Sequence, residues 1–169
     1  ISLARLAVFA MEQGLAGLAF AHGIPGSLGG AVFMNAGAYG GEMCQVVDAV
    51  TAWLPGRGVV EMRGDELAFG YRRSCFGTNG GVVLYADMKL TPGDTGMIRR
   101  EMEELIRRSI IASAELGVEW TVTHPGTVYS AGPDVSVSKE KNLEYYSRHV
   151  ATARENGIGI CLENDFEYR

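Results

Sequence analysis

Apolar residues at Leu3, Leu6, Ala7, Ala10 and Met11 recur at helical spacing behind Ser2, a good N-cap, and Gly14 can terminate the run. Residues 1–13 are therefore predicted to form an amphipathic helix. A glycine-rich tract, GIPGSLGGAVFMNAGAYGG, follows over residues 23–41 and encloses a short apolar helical piece, Leu28 to Met34. Its apolar side chains Ile24, Leu28, Val32, Phe33 and Met34 make it compact structure rather than a linker. Val46 to Leu54 is β-rich, Pro55 to Gly58 is a turn, and Val59 to Met62 returns as the partner strand. Asp65 to Phe69 reads as a helical turn, the segment GYRRSCFG as a loop or strand edge, and Val82 to Leu90 as another strand. Thr91-Pro92-Gly93-Asp94 stops that strand and caps a long helix with Met97, Ile98, Met102, Leu105 and Ile106 on its apolar face.

That helical pattern runs on past Arg108 to Gly117, and there the character of the chain changes. Of 23 glycines, 18 precede residue 110, and the later part reads as strand (119–123), loop (124–136), helix (139–156) and strand (158–163). Such alternation belongs to a parallel α/β unit, whereas the earlier part has no such rhythm. The expected division is 1–108 and 109–169.

Composition narrows the classes. A chain of 169 residues with 47% hydrophobic and 21% charged residues is ordinary for a globular protein. A formal net charge of -5 excludes a basic nucleic-acid reader, so an anion would have to be held by backbone dipoles or single arginines. Cys44, Cys75 and Cys161 have no metal-type spacing and point to a reducing, cytoplasmic setting. Leu3 to Phe20 is interrupted by charge and glycine, so neither a membrane span nor a signal peptide is expected. The first residue is Ile1, which suggests a chain cut from a longer frame.

Glycines ahead of a short helix let backbone N–H groups approach a diphosphate, and the helix start at Ser27-Leu28-Gly29-Gly30 adds its dipole. The glycine pattern alone leaves a tight structural turn equally open. Arg72 and Arg73, taken alone, are a solvated surface pair. Ser74 and Cys75 have no His or acidic orienter at a motif spacing, so packing or capping is their reading.

The spelling adds to this. GLAGLAFAHGIPGSLGGAVFMNAGAYGGEM, ELAFGYRRSCF, VVLYADMKLTPGD and MIRREMEELIRR together resemble the UDP-N-acetylenolpyruvoylglucosamine reductase (UDP-N-acetylmuramate dehydrogenase) family over almost all of residues 1–108. The resemblance implies an α+β fold containing part of an FAD-binding subdomain of the PCMH type. It implies FAD contacts from Gly23, Ile24, Pro25, Gly26, Ser27, Gly29, Gly30, Asn35, Gly37, Ala38, Tyr39 and Gly40. Arg72 would stabilise the developing enolate and its carboxylate, with Tyr71 shaping the site. The implied reaction is an oxidoreduction in peptidoglycan synthesis: NADPH reduces the flavin, which delivers hydride to the enolpyruvyl group of a UDP-sugar. The family's serine proton donor and late glutamate have no match after Arg108, nor its earlier FAD-binding half before Ile1, so little turnover is expected.

Residues 111–169, with ASAELGVEWTVTHPGTVYSAGPD and KNLEYYSRHVATARENGIGICLENDFEYR, resemble the xylose-isomerase-like TIM barrels of sugar phosphate isomerases and epimerases. A partial parallel β/α, TIM-barrel-like unit is the implied fold. His124 and Glu163 match positions at or beside that family's divalent-metal ligands, but two ligands do not make a site. His22 and His149 read as ordinary packed or loop histidines. Two family fragments joined inside one helix suggest a fusion, natural or engineered, and a non-catalytic fusion product stands as a further alternative. Neither a nucleic-acid nor a membrane partner is expected, and oligomeric state is open.

Overall fold

The computed structural model describes residues 1–123 and 135–162. It falls into two compact units, Ile1–Met102 and Glu103–Arg169.

In the first unit, α1 (Leu3–Glu12) starts at Ser2, whose side chain accepts from the Arg5 N–H, and it buries Leu3, Ala7, Ala10 and Met11 on one face. Gly14, at φ +67°, ends it in the left-handed conformation that glycine adopts without strain. β1 (Leu15–Ala16) and a 3-10 turn at Ala19–Ala21 lead into α2 (Leu28–Phe33), capped by Ser27. Then come β2 (Gly37–Ala38), β3 (Gly41–Glu42), β4 (Val47–Leu54) and β5 (Gly58–Arg63). A 3-10 turn at Gly64–Leu67, α3 (Phe76–Asn79), β6 (Val82–Met88) and β7 (Thr91–Pro92) complete the run.

β4 is the centre of an antiparallel sheet of order β5-β4-β6, with register shifts along the β4–β6 pair. β7 returns to pair with β1 through Leu15↔Pro92 and Ala16↔Thr91. The first helix and the end of the sheet are thereby closed into one layer system. Val50, Leu54, Met62, Leu67 and Phe76 are buried with Leu3, Leu18, Val32 and Met43. Across the outer side of the sheet, Trp53 is paired with Val59 and with Val82, and all three are exposed.

Two features differ from the sequence expectation. The end of the glycine-rich tract is a hairpin, β2–β3, joined through Tyr39 (φ +56°) and Gly40 (φ +84°). Two consecutive left-handed residues are the mirror-image turn that matches strand twist. Strands made of Gly, Ala and Glu carry no β-propensity signal, so the pattern hid them. GYRRSCFG is loop as expected as far as Cys75, closed into a turn from Gly70 to Arg73, and departs from the expectation in Phe76 and Gly77, which open α3.

The second unit contains most of α4 (Thr95–Glu115), capped where Asp94 Oδ1 accepts the Met97 N–H at 2.8 Å. β8 (Trp120–Thr123), α5 (Val135–Glu155) and β9 (Gly159–Leu162) follow. β8 and β9 pair in parallel from Trp120↔Gly159 to Thr123↔Leu162, the strand-helix-strand unit expected from the alternation. α5 begins at Val135 rather than Lys139, because Val135-Ser136-Val137-Ser138 are weak helix formers and gave the sequence no starting signal. Ile110, Ala153 and Ile158 form its core, with Ile106, Ala114 and Ile160 packed against them. Buried His149 meets the Tyr145 ring edge-on at 5.5 Å, and Arg148 bridges Glu103 and Glu144 at 2.9 and 3.2 Å. Among the described residues, no helix is long and apolar enough to cross a membrane.

Candidate functional site

The start of α2 is the part of the tract suited to an anion. Gly26 sits at φ +118° with open space where a Cβ would stand, and Gly40 at φ +84° is equally open. A Cβ on Gly29 would touch only Val83, at 3.9 Å and beyond. Three amides here already have protein acceptors. Leu28 N–H donates to Ile1 O at 3.0 Å, Ala31 N–H to Ser27 O at 2.9 Å and Gly30 N–H to Ser27 Oγ at 3.2 Å. Gly29 N–H is left as the first-turn amide with no bond to the protein among the described residues. The start of α2 offers one donor and an open approach, less than a full ring of amides.

The far end of α2 is where Arg72 enters. Asn35, at φ +46° and 2% exposed, accepts the Cys44 N–H on Oδ1 at 2.8 Å. Its Nδ2 donates to Glu42 Oε2 at 2.8 Å and to Gly70 O at 3.1 Å. Gly70 O also accepts the Arg73 N–H at 3.2 Å, closing a turn with Tyr71 and Arg72 at its centre. Arg72 has φ +53°, at the position that a type II turn ordinarily gives to Gly or Asn. Its Nη2 donates to Gly37 O at 3.2 Å, and its guanidinium carbon lies 5.9 Å from the centroid of the exposed Tyr71 ring. Buried Ser74 donates from Oγ to Phe33 O and accepts the Phe76 N–H at 3.3 Å, the capping role expected of it.

Three bonds thus sew residues 33, 35 and 37 to residues 74, 70 and 72. Among the described residues, the non-glycine residues at positive φ are Asn35 and Arg72, in these two segments, and Tyr39 and Ala68, two residues outside them in sequence. Strain persists only where surrounding structure holds it, so its concentration here marks a functional candidate.

Not every glycine in the tract faces a ligand. A Cβ on Gly37 would lie 2.6 Å from Gly41 O, and one on Gly41 would run into the Phe20 ring, so both serve close packing of the hairpin. Gly23 sits near the hairpin tip, its Cβ position 3.8 Å from the Tyr39 hydroxyl. Ile24 is half-buried, Pro25 is exposed, and Ala38 is half-buried on β2. Ser27–Gly30 and Arg72 are brought to opposite ends of α2, a helix about 9 Å long at 1.5 Å per residue. A cavity of about 300 Å³ lies elsewhere, lined by Cys44, Val47, Asp65, Leu67, Ala68 and Phe69 with none of the predicted site residues. Partial desolvation pushes the thiol pKa of both Cys44 and Cys75 up, away from the reactive thiolate.

Glu42 was not singled out in the sequence. Its one signal was the spacing to Gln45, whose side chain accepts the Glu42 N–H at 3.1 Å. His124 and Glu163 lie outside the described residues; among the described residues, no three of His, Cys, Asp and Glu gather to hold a metal.

The arrangement can be set beside known proteins. The first unit is similar to UDP-N-acetylenolpyruvoylglucosamine reductases. One from Leuconostoc mesenteroides is 50% identical over 95 residues, 56% of this chain and 32% of that protein. Another, from Streptococcus uberis, is 34% identical with 89% of this chain and 59% of its own length covered, a match that extends beyond residues 1–108. The crystal structure of the reductase from Thermus caldophilus superposes with a TM-score of 0.61 at 37% identity, covering 65% of this chain and 41% of that one. The chain spans between 32% and 59% of the length of these two curated relatives. No protein-family model matches it.

Proposed function

We propose that residues 1–102 carry part of the flavin and substrate site of a cytoplasmic, NADPH-dependent reductase that converts UDP-N-acetylglucosamine enolpyruvate to UDP-N-acetylmuramate for peptidoglycan synthesis. The observation that carries this reading is the clasp that fixes Arg72 against Gly37 of the glycine-rich run. A sequence that only needed a tight turn would have no reason to place a strained arginine on it. The named relatives support the same reading, and the free Cys44, Cys75 and Cys161 are in keeping with a reducing compartment.

FAD fits the open backbone of the tract, at Gly26 and Gly40, where a Cβ would meet nothing within 4 Å, and at Gly29, where it would meet only Val83. Bound there, it would supply the hydride chemistry. Gly29 N–H would donate to a phosphate oxygen, with the dipole of α2 a minor aid given its six residues. Arg72 would place a permanent cation beside the enolpyruvyl carboxylate, stabilising negative charge as it spreads from the double bond. Its planar fork suits a carboxylate better than an ammonium would. Tyr71, stacked beside it, would limit the approach of water. Asn35, Gly37, Ala38 and Tyr39, past the far end of α2, would form the side of the site that carries Arg72.

A second reading concerns residues 103–169 alone. The parallel β8–β9 pair supports a sugar phosphate isomerase or epimerase unit, since the chain passes into His124 and Glu163 directly from the registered partners Thr123 and Leu162. Thermal unfolding of the purified chain with added FAD, and separately with Mg²⁺ or Mn²⁺, distinguishes the two. Stabilisation by FAD supports the reductase reading; no response to FAD together with stabilisation by the metal rejects it in favour of the second.

A further inference from the structure

We infer that the side chain of Asn35 is the positioning group that holds Arg72 in its left-handed turn. The inference rests on the reading of Arg72 as the cation that faces the enolpyruvyl carboxylate. An asparagine at φ +46° has an ordinary explanation, because Asn tolerates the left-handed region better than other side chains. That explanation leaves the side chain itself unaccounted for. The amide is 2% exposed and uses its oxygen and both of its N–H donors, on Cys44 N–H, Glu42 Oε2 and Gly70 O.

Its orientation is fixed by its partners. Rotated by half a turn, the amide would set its oxygen against two acceptors, Glu42 Oε2 and Gly70 O, and its N–H groups against the Cys44 N–H. The Glu42 carboxylate makes its bond charge-assisted, and burial keeps water from competing. Gly70 O is the acceptor that also closes the turn with Arg73 N–H. One side chain therefore ties the end of α2 and the hairpin to the carbonyl from which Arg72 is suspended. The neighbouring bonds, Ser74 to Phe33 and Arg72 to Gly37, flank it without reaching that carbonyl.

The decisive variant is Asn35→Gly, which keeps the left-handed backbone comfortable and removes the side chain with its three hydrogen bonds. Two readouts are taken on the whole chain: hydrogen exchange of the Arg73 N–H, and the ratio of affinities for UDP-N-acetylglucosamine enolpyruvate and UDP-N-acetylglucosamine. In Asn35→Gly, Arg73 exchange should quicken about tenfold and the affinity ratio fall about tenfold, the worth of one buried hydrogen bond. Amide protection elsewhere in the first unit should stay unchanged. Glu42→Gln, which keeps an acceptor but removes its charge, should give the same two changes at about threefold.

Wild-type behaviour in Asn35→Gly would overturn the inference and leave Asn35 a residue chosen for its backbone. So would faster Arg73 exchange with the ratio intact, or a general loss of amide protection across the first unit. If the wild-type chain itself does not distinguish the two sugars, the reading of Arg72 fails. Arg73 exchange then still decides whether Asn35 holds the turn.

Discussion

Replacing Arg72 by Gly and by Ala separates backbone strain from side-chain bonding. An L-residue in the left-handed region carries about 1–2 kcal/mol of strain, which arginine and alanine both bear at this position and glycine does not. The entropy that Gly loses on folding offsets part of this, leaving a relief of roughly 1 kcal/mol. Both substitutions remove the exposed bond from Nη2 to Gly37 O, worth about 0.5–1.5 kcal/mol. Arg72→Ala should therefore destabilise the first unit by about that amount. Arg72→Gly should come out near zero, about 1 kcal/mol above Arg72→Ala. For a unit of this size the difference is about 4–8 °C in melting temperature. The two tryptophans, Trp53 and Trp120, fall in different units, so fluorescence melts in a Trp120→Phe background read the first unit alone. Alanine as stable as glycine at this position would refute the strain argument. Both variants should lose preference for the enolpyruvyl sugar.

Other consequences are open to direct measurement. Phe76, 1% exposed beneath the turn, should cost about 3–5 kcal/mol when replaced by Ala, read as a fall in the urea midpoint. Asp94→Ala removes the acceptor for Met97 N–H and should cost about 1 kcal/mol, visible as fraying of the first turn of α4 in amide exchange. Burial lowers the folded-state pKa of His149, with Glu103 opposing that and Arg148 adding to it. The unfolded chain therefore binds this proton more readily. The second unit should hold its stability above the ordinary histidine pKa of about 6.5 and lose it as pH falls below that value towards the folded pKa. His149→Phe should flatten that dependence, as followed by Trp120 fluorescence in a Trp53→Phe background.

Much of the fold could be read from periodicity. α1, the β4–β5 hairpin and the long α4 bury apolar residues at regular spacing, and regular spacing is what a sequence displays; the strand-helix-strand order of the second unit showed instead through its alternation of segments. The β2–β3 hairpin did not show, because Gly37, Ala38 and Gly41 have almost no side chains to alternate. Nor did the clasp. Its acceptors, Phe33 O, Gly37 O and Gly70 O, are carbonyls that every residue possesses, and its partners lie 35 to 41 positions apart. Glu42 escaped notice for the same reason, since its partner Asn35 becomes a neighbour only when the hairpin folds back. Arg72 was singled out through resemblance, whereas its left-handed backbone was not foreseen, because sequence signals for such a turn position are Gly or Asn.

The central claim is that the open backbone at the start of α2 receives the flavin diphosphate. Gly29→Leu tests it, since a Cβ there would meet only Val83, at 3.9 Å and beyond, and a side chain on the open backbone would stand in the path of a ligand. Quenching of FAD fluorescence on titration with each chain gives the answer. The account predicts saturable binding by the wild-type chain and loss of most of that affinity in a Gly29→Leu chain that melts at an unchanged temperature. Equal affinity in the two folded chains would contradict it.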